Sequence, residues 1–177
     1  RICQCFRCSQ VVYSEGEYDG EKVSVSEIMT SKEYSIISRE AFEIYAANHD
    51  IDALEYILKL DGYSYHMMNI LDYLIGNTDR HWGNWGFMVN NQNNRPISLH
   101  PLMDFNQSFH AYDTLEGARC LTVQPKILSQ MEAALEAAEA VGWNQTEEID
   151  AAWFIEREPE YEMFCRRLSA IKDGQWL

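Results

Sequence analysis

Apolar positions change period along this chain, and the changes mark out its elements. Between Tyr63 and Ile75, the residues Met67, Ile70, Leu71, Leu74 and Ile75 recur on one helical face, which predicts an amphipathic helix. Gly76 ends it, because glycine takes the positive φ of a helix terminus without strain. Past Asn84 the period becomes two: Trp85, Phe87 and Val89 alternate with Gly86 and Met88, as in a short strand. Asn90 to Pro96 is turn chemistry, and Ile97 to Met103 reads as the return strand. Helical spacing also appears from Ser38 to Asn48, with Phe42 and Tyr45 toward the core. It returns at Ile127, Met131, Leu135 and Ala138, stopped by Gly142, and at Tyr161, Phe164, Leu168 and Ile171 before Gly174. Pro159 opens that last helix where its missing N–H costs little. Thr146 is the expected cap of a segment in which Ile149 and Trp153 share a face. Residues 1–14 read as a strand, and Glu15 to Lys22, with Gly16 and Gly20, as a loop. The sum is a mainly α, α+β domain with one small β-hairpin among its helices.

Composition narrows the class. A chain of 177 residues is one domain with room for a core. A hydrophobic share of 46% and an aromatic share of 12% fit an ordered globular protein. No apolar run reaches the roughly 18 residues of a membrane span. The net charge of −14 argues against direct nucleic acid binding and favours magnesium or a basic partner. No secretory signal is visible, so reduced thiols and a cytoplasmic location are expected. Cys3, Cys5 and Cys8 crowd one end. They lack a fourth zinc ligand at standard spacing, and alternation there suits a strand equally well.

The candidate chemistry lies at the hairpin. Asn77-Thr78-Asp79-Arg80-His81-Trp82-Gly83-Asn84 precedes its first strand, and Met103-Asp104-Phe105 follows its second. A hairpin brings its two outer ends together, so Asn84 and Asp104 are expected within reach of one ion. Both offer the hard oxygens that magnesium prefers. Asp79, an acceptor when ionised, can orient a hydroxyl and take its proton. His81 can steady the loop or touch a transferring phosphate. Asn77 and Arg80 are read as supports of the loop backbone. The helix end ahead of the loop favours a cation, so Arg80 or His81 is expected there as a counter-charge. His100, His110, Trp82 and Trp85 are read as structural. Together the groups match what phosphoryl transfer from a magnesium nucleotide requires.

The five-residue step from Asp79 to Asn84 equals the catalytic-loop spacing of protein kinases. The order Asp-x-His-x-x-Asn departs from the usual version, in which His precedes Asp. It resembles the HipA-type serine/threonine kinases and the phosphoinositide lipid kinases. Leu74 to Gly86 is most similar to the HipA-like group of bacterial, toxin-like proteins. That resemblance implies a kinase-like large (C-terminal) lobe with ATP and Mg2+ as cofactors and a protein Ser/Thr as acceptor. It implies Asp79, His81 and Asn84 as catalytic-loop residues, Asp79 being the base, and Asn84 and Asp104 as the cofactor-binding magnesium ligands. It covers about residues 70–110. The chain shows no glycine-rich clamping loop and no strand lysine of the kinase small lobe. The expected organisation is therefore one catalytic lobe over residues 1–177, its N-terminal lobe absent, with residues 1–14 as the connecting strand. A small-molecule or lipid kinase, a metal-dependent hydrolase using Asp79, His81 and Asp104, and a non-catalytic interaction module are the alternatives.

Overall fold

The computed structural model describes residues 1–124 and 126–174. Its strands are β1 (Tyr13–Tyr18), β2 (Glu21–Ser26), β3 (Tyr34–Ser38), β4 (Gly86–Asn90) and β5 (Arg95–Leu99). Its helices are α1 (Arg39–Asn48), α2 (Ala53–Ile75), α3 (Gln130–Val141) and α4 (Glu158–Asp173). Strands β1 and β2 pair alone as an antiparallel hairpin, while β3, β4 and β5 form a second antiparallel sheet with β4 central. Among the described residues no helix is long and apolar enough to cross a membrane.

The axis of the fold is α2. Asp52 caps its start by accepting from the Glu55 N–H at 2.9 Å. The helix begins ten residues before the apolar stripe predicts, because its first half exposes more polar residues and so carries a weaker pattern. The halves meet at a kink, where Asp61 has φ −156° and ψ 58°. One Asp61 carboxylate oxygen accepts from the Ser64 N–H at 3.2 Å, restarting the helix as a cap would. The other accepts from the Leu99 N–H at 2.9 Å and so ties β5 to the kink. Past the kink nearly every side chain from Tyr65 to Ile75 is buried. The core continues through Phe42, Trp85, Phe87, Leu102, Ala134, Phe154 and Phe164. Gly76 ends α2 in the left-handed region (φ 61°).

Several local expectations fail for identifiable reasons. Residues 1–14 are strand only at their end, where β1 begins at Tyr13: Ile2–Cys5 is a 3₁₀ turn with Cys3 and Cys5 buried. The segment after it makes single bridges to two different places, Phe6 to Gln145 and Gln10 to Leu102, so no ladder grows. Glu15 to Lys22 is no loop but the heart of the β1–β2 hairpin. Asp19 and Gly20 supply the two positive φ values, 52° and 79°, of its two-residue turn. Tyr45 faces solvent, 52% exposed, while Phe42 alone enters the core. The return strand stops at Leu99, because Leu102 leaves the sheet to bridge Gln10. Ile127 lies outside α3 and is exposed; Ser129 starts that helix with a capping box to Glu132. Thr146 caps nothing: its hydroxyl donates to the Cys5 carbonyl at 3.1 Å, and Asp150 caps the 3₁₀ turn Ala151–Phe154.

Sheet closure at the site depends on one glycine. A Cβ on Gly86 would lie 2.0 Å from the Ile37 carbonyl oxygen and 2.8 Å from the Ser38 Cα. Backbone cannot yield there without unzipping β3 from β4. Gly86→Ala is therefore expected to destabilise the protein by about 3 kcal/mol, read as a lower urea midpoint at unchanged slope.

Candidate active site

The loop from Asn77 to Asn84 is built from the end of α2 outward. Asp72, in the last turn and buried, accepts from Arg80 Nε at 2.8 Å and Arg80 Nη2 at 3.0 Å. The same carboxylate accepts from Asn77 Nδ2 at 3.0 Å. Burial on its own would depress the Arg80 pKa; Asp72, with smaller help from Asp104, outweighs it and the net direction is up. Arg80 Nη1 then donates to two carbonyls, Asn84 at 3.3 Å and Met103 at 2.6 Å. A single nitrogen thus holds both ends of the β4–β5 hairpin. Gln130 of α3 donates to the Asn77 carbonyl at 2.6 Å. The first amides of α1 hold the far side: Arg39 N–H donates to Trp85 and Glu40 N–H to Trp82, satisfying donors that a helix start leaves free.

The expected counter-charge at the α2 terminus is placed differently. Arg167 of α4, fully buried, donates to the Tyr73 carbonyl at 2.6 Å and stacks 4.1 Å above the Tyr112 ring. Arg80 meets the Asp72 side chain, and His81 points to solvent.

Asp79 is partly open, its side chain 41% exposed. Its carbonyl accepts from Asn84 Nδ2. Since a carbonyl can only accept, the amide orientation of Asn84 is fixed. Its Oδ1 is left buried without a partner. His81 lies with Nε2 4.0 Å from the Asp79 carboxylate. Its Nδ1 accepts from the Gly83 N–H at 3.0 Å, so the neutral ring carries its proton on Nε2 and presents a donor toward Asp79. A Cβ on Gly83 would come within 2.8 Å of the imidazole, which explains the glycine. Asp104 takes a left-handed φ of 58°. It lines a cleft of about 580 Å³ with Tyr13 of β1, Ser24 of β2, Met103, Phe105 and Asn106, a volume in the range of small-molecule sites.

The structure therefore bonds Asn84 directly to Asp79, sets His81 Nε2 4.0 Å from the Asp79 carboxylate, and joins Asn84 to the residue before Asp104 through Arg80. Among the described residues no group of three or more His, Cys, Asp or Glu is placed to share a metal ion. The candidate oxygen set is instead an amide and a carboxylate. Its fit to a hard divalent cation rests on the orphaned Asn84 Oδ1, a buried acceptor aimed at no donor. Sequence reading missed Asp72, Gln130 and Arg167. Asp72 carried the one usable signal, an acid inside an apolar stripe one turn before a helix-ending glycine.

The chain has a kinase-like fold. It superimposes on the crystal structure of a Helicobacter pylori proinflammatory kinase, CtkA, with a TM-score of 0.66. The match covers 97% of this chain and 77% of that one at 15% sequence identity, a likeness of fold alone. No protein-family model and no curated protein matches the sequence.

A buried histidine beside the hairpin mouth sets a pH limit. His100 is buried, with Nδ1 2.8 Å from the Pro101 carbonyl. Burial lowers its pKa below the ordinary 6.5, as it does for His66 on α2. The unfolded chain therefore binds protons that the folded chain refuses. The stability these groups contribute is present above pH 6.5 and is lost as pH falls below it. Urea midpoints are expected to drop between pH 7.5 and pH 5.5, and to drop less in His100→Gln.

Proposed function

We propose that this chain is the catalytic large lobe of a HipA-like kinase, which moves the γ-phosphoryl group of ATP to a serine or threonine of a protein. The carrying observation is the orphaned oxygen of Asn84, held next to Asp79 on a loop whose other anchor precedes Asp104. In this reading residues 1–177 are one lobe. The β1–β2 hairpin overhangs the nucleotide cleft, and an N-terminal lobe on polypeptide outside this sequence supplies the phosphate clamp. A cytoplasmic location and the absence of direct nucleic acid contact belong to the same reading.

The chemistry assigns one task to each residue. Asp79 accepts the proton of the acceptor hydroxyl as its oxygen bonds to the γ-phosphorus, and the bond to the β-phosphate bridging oxygen breaks to release ADP. The Nε2–H of His81, 4.0 Å from the Asp79 carboxylate, is free to face the phosphoryl oxygens. Asn84 Oδ1 and the Asp104 carboxylate are the groups that would hold Mg2+. When bound, the ion supplies charge neutralisation for the triphosphate. The cleft lined by Asp104, Tyr13 and Ser24 receives the nucleotide.

The test is transfer from γ-labelled ATP by the protein that contains this chain, offered protein, lipid and small-alcohol acceptors. Label is expected on the protein acceptor, with Asp79→Ala reducing the rate by about 10²-fold or more. Unchanged transfer in that variant removes Asp79 from the mechanism.

A further inference from the structure

Arg80 has no assigned part in the chemistry above, yet it is the most connected side chain at the site. It is 3% exposed. Nε and Nη2 engage Asp72, and Nη1 reaches the carbonyls of Asn84 and Met103. Both candidate cation ligands are held in unfavourable states. Asn84 keeps a buried oxygen without a donor, and Asp104 sits at φ 58°. Local preference would relax both, since a non-glycine residue disfavours left-handed backbone and a buried acceptor seeks a donor. Arg80 is what opposes relaxation at both places simultaneously.

We infer that Arg80 is the positioning residue of a divalent-cation site. It fixes Asn84 relative to Asp104 by pinning the backbone carbonyl of one and of the residue before the other. The inference rests on the phosphotransfer reading of these two ligands. It adds that Asp72 is withheld from the cation: Oδ1 accepts from Arg80 Nη2 and Asn77 Nδ2, and Oδ2 from Arg80 Nε. Lysine cannot replace arginine here. An ammonium keeps the charge but lacks a planar fork that can grip Asp72 while a third nitrogen reaches two carbonyls.

The test titrates Mn2+ into the full 177-residue chain and follows the free ion by electron paramagnetic resonance. The unaltered chain is expected to bind it, and Arg80→Lys to bind at least about tenfold more weakly, as losses around metal ligands do. Asn84→Ala is expected to abolish binding. Asp52→Ala, which weakens the α2 cap at the end of that helix opposite the loop, is expected to leave affinity unchanged and so separates positioning from general destabilisation. Equal affinity in Arg80→Lys and the unaltered chain overturns the inference while sparing the phosphotransfer reading. Failure of the unaltered chain to bind overturns the ligand assignment and the inference with it. A second measurement needs no variant: saturating Mg2+ should slow amide exchange at Asn84 and Asp104 together. Protection at only one of them overturns the coupling.

Discussion

The buried pair between Asp72 and Arg80 is the constraint on which the rest of the site depends. Burying two charges costs on the order of several kcal/mol per ion, and only good geometry with full hydrogen bonding offsets it. Here both carboxylate oxygens and all three guanidinium nitrogens are engaged. That saturation is available in one arrangement only: α2 ended at Gly76, the loop turned back on itself, and the hairpin mouth closed. A slip of one residue in any of these would leave a charge buried and unpaired. The pair therefore specifies the loop conformation more than it stabilises the domain.

The last carbonyls of α2 show how the constraint extends to Asp104. A helix end leaves four acceptors without intrahelical donors. Asp72 O receives the Asn77 N–H and Tyr73 O receives Arg167. Leu74 O receives the Tyr112 hydroxyl and Ile75 O the Phe109 N–H. Two of these donors lie just past Asp104 in the chain, and Met103, just before it, is held by Arg80. The Asp104 segment is thus fastened on both sides to the same helix terminus. The positive φ values of Asp104 and Phe109, 58° and 61°, occur within this bracketed stretch. They are sustained by bonds to α2 and not by local preference.

Much of this was legible in the sequence, and the gaps have physical causes. The second half of α2, the Gly76 stop, the β4–β5 hairpin and the loop between them followed from period and turn chemistry, because those segments are buried on a defined face. The β1–β2 hairpin was missed although Asp19-Gly20 is a strong turn signal. Its strands pack on no helix, so they expose Val25, Tyr13 and Tyr18 and show no buried stripe. The first half of α2 was missed for a similar reason, and no periodicity could announce the Asp61 kink. At the site, residue types and spacing pointed to Asp79, Asn84 and Asp104. They could not give the placement of Arg167, which arrives from a helix 94 residues away from Tyr73 in sequence. Long-range donors to a helix end leave no local trace.

Charge distribution leaves the open carboxylates of the site short of side-chain cations. The chain carries 28 acidic residues against 14 lysines and arginines, so side-chain cations are scarce. The nearby ones have other partners: Arg80 is bonded to Asp72, and Arg39 pairs with Glu43 while lying 4.7 Å over Trp82. Asp79 is partly open and Asp104 lines a cleft, in a strongly anionic protein whose summed field draws cations inward. Asn84 adds a neutral oxygen whose burial without a donor costs about 1–3 kcal/mol. A bound divalent ion would remove that cost and balance the carboxylate charge in a single step. On the proposed phosphotransfer reading, a triphosphate alone would add negative charge at both, so nucleotide and metal would have to arrive as one unit.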